Sequence, residues 1–305
     1  MSLTSASESF SDGLVEVRNA CKSYGRRKVL QEMSLKVMQG ECIALIGRNG
    51  SGKSTLLRLL AGLARPTSGT RKEMQGRKLS IGYVPERFPP LPFTPWEFLT
   101  SVASVRGMDK HAAEEELNDL LRKLDMEHAM HVKMNQFSKG MLQKINLIQG
   151  ICGKPGMLLL DEPLSGLDVK AQEELLHMLL ARKQAGTAIV MSVHESKLID
   201  RAADRVLLIR DGRIAEETPA VRPTSQELTR VVARMPDSGT LARIAAHGGV
   251  ADCTPVSEAC LLEVESGWVD QVLRLILDSG GSIVSVTPAA GMDDRMEERL
   301  ESAAN

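Results

Sequence analysis

The sequence holds no apolar run of the roughly 18 residues that a membrane-crossing helix needs. It also lacks a charge imbalance, since 38 basic residues stand against 39 acidic ones. A chain that grips nucleic acid usually carries a basic excess, so no nucleic-acid partner is expected. Cysteine is sparse and scattered. The five residues Cys21, Cys42, Cys152, Cys253 and Cys260 are odd in number, and no pair has metal-ligand spacing. They read as buried, reduced thiols of a cytosolic protein. The opening stretch, MSLTSASESFSDG, lacks the basic-then-apolar order of a signal peptide. Residues 1–13 therefore read as a disordered tail.

What is present suits a large domain followed by a small one. The chain has 305 residues, and its 43% hydrophobic share is enough for a sizeable core. The most informative stretch is GRNGSGKST, Gly47 to Thr55. It fits G-x-x-x-x-G-K-(S/T), with Gly47, Gly52, Lys53 and Ser54 at the fixed positions. The apolar run CIALI before it reads as a buried strand, and LLRLLAG after it reads as a helix. Glycines let the backbone bring N–H groups close to phosphate oxygens, and the helix start adds orphan donors and the positive end of a dipole. Gly47, Asn49, Gly50, Ser51, Gly52, Lys53, Ser54 and Thr55 are thus the expected nucleotide cradle. Lys53 would reach the β- and γ-phosphates, and the Ser54 hydroxyl would ligate Mg²⁺.

Around this loop the pattern is readable in order. Residues 14–17 alternate apolar and charged residues, and the apolar pair Val29-Leu30 is followed by alternation over 33–37, which predicts an antiparallel β layer leading into the loop. Tyr24, in the turn between them, is placed to stack on a nucleotide base. The segment 65–69 reads as a break and 79–84 as a strand ending at Glu86. After a cluster of prolines and aromatics, TPWE has the form of a capping box, so a helix should start at Pro95. From there to Gly150 the chain reads as helical throughout. MLLL is a buried strand that delivers Asp161 and Glu162, and AIVMSV is another that delivers His194. A strand-end carboxylate beside a phosphate loop is what Mg²⁺ needs, which nominates Asp161. Glu162 could then orient or deprotonate an attacking water, and His194 could sense a γ-phosphate by hydrogen bonding. Residues 206–215 read as a hairpin on an Asp-Gly turn.

Taken jointly, GRNGSGKST, SKGM at 138–141, MLLLDEP at 157–163, SGLD at 165–168 and His194 match the motif order of the ATP-binding cassette (ABC) ATPases. They resemble the Walker A loop, the signature, Walker B with its catalytic glutamate, the D-loop and the switch histidine. The resemblance spans residues 14–218 and implies an α/β P-loop NTPase with a mixed central sheet, an antiparallel β subdomain and a helical subdomain at about 86–150. It implies ATP and Mg²⁺ as ligands, with Ser54, Asp161 and Glu86 toward the metal and Glu162 and His194 in catalysis. It also implies a second ATPase chain, a homodimer rather than a heterodimer, in which Ser138 and Gly140 complete the partner's nucleotide site. Two features depart from the usual family pattern: Glu86 stands where many members carry Gln, and SKGM, with Lys139 and Met141, stands where SGGQ is commoner. Both variants resemble the branch serving drug, antibiotic, peptide or polysaccharide exporters, whose membrane permease is a separate chain. The cluster from Phe88 to Trp96 follows Glu86 where that partner would dock. The implied location is cytoplasmic, peripheral on the inner face of the cell membrane. The alternatives are a soluble non-transport ABC ATPase and a regulatory ATP-binding module. Residues 219–305 alternate short strands and helices and read as a small accessory α+β domain, closing in a charged helix at about 292–303.

Overall fold

The computed structural model describes residues 13–74, 79–193, 196–219, 228–245, 249–256, 259–265 and 268–288. The chain divides into two compact units after residue 220. In chain order the first unit contains β1 (Gly13–Tyr24), β2 (Arg27–Met38), β3 (Cys42–Ile46), α1 (Lys53–Leu60), β4 (Ser68–Glu73) and β5 (Ile81–Val84). These are followed by α2 (Pro95–Val105), α3 (Lys110–Lys123), α4 (Lys139–Ile151), β6 (Met157–Asp161) and α5 (Val169–Gln184). The unit closes with β7 (Ala188–Ser192), α6 (Ser196–Ala202), β8 (Arg205–Arg210) and β9 (Arg213–Pro219).

The apolar runs CIALI, MLLLD and AIVMS become β3, β6 and β7, each buried at every position. A strand covered on both faces needs such a run, and parallel strands are the kind so covered. They lie in a six-stranded sheet of order β5-β6-β7-β3-β8-β9, in which only β9 is antiparallel to its neighbour. Parallel neighbours end at the same side of a sheet, so the loops after β3, β5, β6 and β7 leave from one edge. The alternating segments form a second, antiparallel sheet of order β2-β1-β4. Val15, Val17, Leu35 and Val37 from that sheet share a core with Leu45, Leu56, Leu159 and Val190.

The helical stretch is interrupted, contrary to the continuous helix expected. α2 stops at Val105 and Gly107 turns the chain with φ +72°. Asp109 then caps α3, its Oδ1 accepting the His111 and Ala112 N–H groups. Asp125, at φ +55°, ends α3, and two short 3₁₀ turns lead to α4. The capping box at Thr94 is formed in both directions, with Pro95 at the first helical position. The segment read as a break runs into a strand, β4, whose polar residues SGTRKE are almost all exposed.

The second unit contains β10 (Leu228–Arg234), α7 (Ser238–Ala245), β11 (Val250–Val256), β12 (Ala259–Glu265), α8 (Val269–Asp278) and β13 (Ser282–Pro288). This is a β-α-β-β-α-β unit with sheet order β11-β12-β10-β13, the split βαβ arrangement. Its own core is built from Val231, Ala233, Ile244, Leu262, Val264, Val272 and Ile276. The charged helix expected at 292–303 lies outside the described residues.

Candidate functional site

The phosphate-type loop leaves β3 and enters α1. Gly47 and Gly52 take φ +145° and +114°, and neither could carry a side chain. A Cβ on Gly47 would lie 2.2 Å from the Ile209 carbonyl, and one on Gly52 2.8 Å from Leu30 Cδ2. The loop is thus pressed between the end of β8 and the antiparallel sheet. α1 begins with Gly52 at its cap, where no side chain among the described residues caps the helix, as expected of an open helix start. Ser51 Oγ is buried and has no hydrogen-bond partner among the described residues. A buried hydroxyl of that kind beside an open helix start is chemistry that suits an oxyanion.

Lys53 is buried and donates to the carbonyls of Gly47 at 2.5 Å and Arg48 at 3.4 Å. Burial pushes its ammonium below the usual lysine value, while Glu162, Asp161 and Glu86 push it back up. The same lysine therefore feels carboxylates from the ends of two different strands. Ser54 and Thr55, on the first turn of α1, are half-buried, and Asn49 and Gly50 are exposed.

Asp161, the last residue of β6, is buried and accepts a 2.7 Å hydrogen bond from Ser192 Oγ at the end of β7. Glu162 follows in a left-handed conformation, φ +49°. Its N–H is shared between Ser192 Oγ at 3.0 Å and Ser192 O at 3.2 Å. Ser192 thus anchors both acids, a role the sequence did not disclose; the only signal is a hydroxyl closing an otherwise apolar strand. Glu86, just past β5, is exposed and lies 3.9 Å from the adjacent Arg87. Tyr24 is half-exposed, with the Lys22 ammonium 5.0 Å from its ring centroid. Lys22 is two residues earlier on the same strand face, the spacing that permits such a cation–π contact.

Ser138 caps α4, its Oγ accepting the Met141 N–H at 3.3 Å. Gly140 approaches the Gly166 carbonyl so closely that a Cβ would lie 2.6 Å from it, and Lys139 Nζ donates to Ser165 Oγ at 3.0 Å. Ser138 and Gly140 are therefore placed beside the loop after β6. His194 lies outside the described residues. In the segment after Glu86, Phe88 packs on Phe98 with ring centroids 5.5 Å apart, while Phe93 is 51% exposed. Among the described residues no helix is long and apolar enough to cross a membrane.

Comparison with known proteins bears on this arrangement. The ABC transporter family model matches residues 30–165. An uncharacterized ABC transporter ATP-binding protein of Bacillus subtilis, YxlF, is 34% identical over 225 residues, 72% of this chain and 75% of its own length. The zinc import ATP-binding protein ZnuC of Photorhabdus laumondii is 33% identical over 218 residues, 70% of this chain and 81% of its own. A solved structure of the ATP-binding subunit of an ABC transporter superposes with a TM-score of 0.64 at 30% identity, covering 68% of this chain and 90% of that one.

Proposed function

This chain belongs to the ABC transporter ATP-binding proteins, and from that premise we propose that it is the ATPase subunit of an exporter. In this reading, ATP-driven closure of a dimer is coupled to a separate membrane-spanning subunit. The observation that carries the hydrolytic part is the Ser192 anchor, which accepts the Glu162 N–H and donates to Asp161 Oδ1 at the end of the strand next to the one that leads into the Lys53 loop.

In this reading the first-turn donors of α1, the orphan Ser51 hydroxyl and Lys53 hold the β- and γ-phosphates. Lys53 exchanges the carbonyls of Gly47 and Arg48 for phosphate oxygens. Tyr24, its ring steadied by Lys22, stacks on the base. The Ser54 hydroxyl and the Asp161 carboxylate are hard oxygen donors of the sort Mg²⁺ accepts alongside substrate phosphates, and Glu86 stands as a third candidate. When bound, the ion would neutralise charge developing on the phosphates. Ser192 keeps Asp161 pointed and fixes the backbone of Glu162, whose carboxylate orients and deprotonates the attacking water. His194 contributes a hydrogen bond toward the γ-phosphate. Ser138 and Gly140 serve the nucleotide held by a second copy of the chain. The exposed Phe93 and the proline-rich segment around it dock the permease, which places the protein on the inner face of the membrane.

Export is favoured by the SKGM signature, by Glu86 and by a further unit beyond residue 220. Similarity to a zinc import protein supports import as a second reading. Co-purification from detergent-solubilised membranes tests the common part: an integral membrane protein should come down with the tagged chain. Its absence would favour a soluble, non-transport ABC ATPase. Transport by the recovered complex in inverted vesicles then separates export, seen as uptake, from import. Glu162→Gln is expected to bind ATP, stall hydrolysis and accumulate as an ATP-bound dimer on size exclusion. Normal turnover in that variant would remove Glu162 from its role. Lys53→Ala is expected to weaken ATP binding by at least about a hundredfold in a titration, by loss of a charge-assisted phosphate contact.

A further inference from the structure

One face of α4 carries three amides, Gln143, Asn146 and Gln149, at the i, i+3, i+6 spacing that aligns side chains along a helix. Gln143 is 4% exposed and Asn146 is 0% exposed, so these are not solvated surface groups. They form one continuous ladder. Gln149 Nε2 donates to Tyr83 O at 2.8 Å and to Asn146 Oδ1 at 3.3 Å. Asn146 Nδ2 donates to Pro85 O at 2.8 Å and to Gln143 Oε1 at 3.2 Å. Gln143 Nε2 donates to Pro163 O at 3.0 Å.

The geometry of the sheet explains the targets. β5 is the terminal strand of its sheet, so one row of its carbonyls faces no strand. Tyr83 and Pro85, two residues apart, present carbonyls on the same side. α4 lies close enough to reach them because two glycines interlock. A Cβ on Gly82 would lie 2.1 Å from Gly150 O, and one on Gly150 2.3 Å from Val84 Cγ2. The last rung crosses to Pro163, the residue after Glu162. One ladder therefore binds the turn carrying Glu86 to the turn carrying Glu162, beyond the last paired positions Val84 and Leu160 of their two strands.

We propose that Gln143 and Asn146 are positioning residues for ATP hydrolysis: by joining Pro85 to Pro163 they make the Glu86 and Glu162 turns move as one body. Apolar side chains would fill the same space without burying amides. What the amides add is direction, since each rung fixes one carbonyl at one distance. The inference rests on the roles given to Glu86 and Glu162 above.

The test uses the full chain with Asn146→Leu and Gln143→Met, which put apolar side chains of similar branching in place of the amides and remove the rungs. ATP affinity, kcat, the Mg²⁺ concentration for half-maximal rate and the melting midpoint are measured together. Both variants should bind ATP within about threefold of wild type and melt close to it. Their kcat should fall by at least about tenfold, as expected when reacting groups are misplaced by a fraction of an ångström, and the Mg²⁺ requirement should rise. Unchanged kcat in the two variants overturns the inference, as does a kcat loss matched by an equal loss of ATP affinity or of folded protein in both. A wild-type chain that hydrolyses no ATP, alone or with its membrane partner, would instead sink the proposed function itself.

Discussion

At the scale of single residues, Glu162 carries a cost that its neighbours do not. A non-glycine residue at φ +49° is strained by about 1 kcal/mol or more, and such strain collects at functional positions. Glu162→Gly should therefore stabilise the chain by about 1 kcal/mol in denaturant unfolding while abolishing ATP turnover. A destabilised variant would show that the carboxylate's own contacts outweigh the strain. The cysteines give a second prediction. Burial pushes the Cys42 thiol up to about 12 and the Cys152 thiol up to about 11. Hydrogen bonds from the Ser68 side chain and the Glu32 N–H hold the half-buried Cys21 thiol below its usual value. Thiolate is the reactive form, so iodoacetamide at neutral pH should label Cys21 well before Cys42 or Cys152, read by peptide mass spectrometry. Phosphate-loop residues and strand-end acids were legible because fixed spacing coincided with a buried strand. The amides of α4 were not, because an amide on a helix surface has the same letter whether it meets water or a carbonyl. Only their three-residue spacing on a mostly apolar helix hints at a shared target.

At the scale of elements, the fully apolar strands announced themselves, while β4 did not. Its residues Ser68 to Glu73 carry no alternation because they sit exposed at the edge of the antiparallel sheet, held by backbone pairing with β1. The breaks around α3 were also hidden, since the apolar spacing runs on through turns that Gly107 and Asp125 enforce by backbone conformation. The contact between α4 and β5 predicts that Gly82→Ala costs about 2 kcal/mol in equilibrium unfolding, because a backbone oxygen occupies the place of the methyl. At the start of α5, Asp168 accepts the Ala171 N–H at 2.8 Å and pairs with Lys144 at 3.1 Å. These contacts, the backbone bond first, hold its carboxyl below the ordinary 3.8. A depressed folded value adds stability above pH 3.8 that is lost as pH falls through it. Wild type should therefore out-melt Asp168→Asn near neutral pH, and the gap should close in acid.

At the scale of the whole molecule, each unit has a core of its own among the described residues, one including the mixed sheet and one around the βαββαβ sheet. The alternation of strand and helix made the second unit's class readable, yet β11 went unseen, and its sequence VADCTPV holds a proline and a charge that weaken any strand pattern. A ligand stabilises only what it binds. Calorimetry of the full chain with increasing ATP should raise the transition of the larger unit and leave that of the smaller one in place. A common shift would mean that the two melt as one.

In the proposed ATPase cycle, the clasp of Lys53 on the carbonyls of Gly47 and Arg48 has a consequence for turnover. Letting go of a phosphate usually strands a buried cation, which slows departure. Here the ammonium has a place to return to within its own loop. In the proposed role of Lys53 as a phosphate ligand, product release becomes an exchange of partners rather than a loss of them.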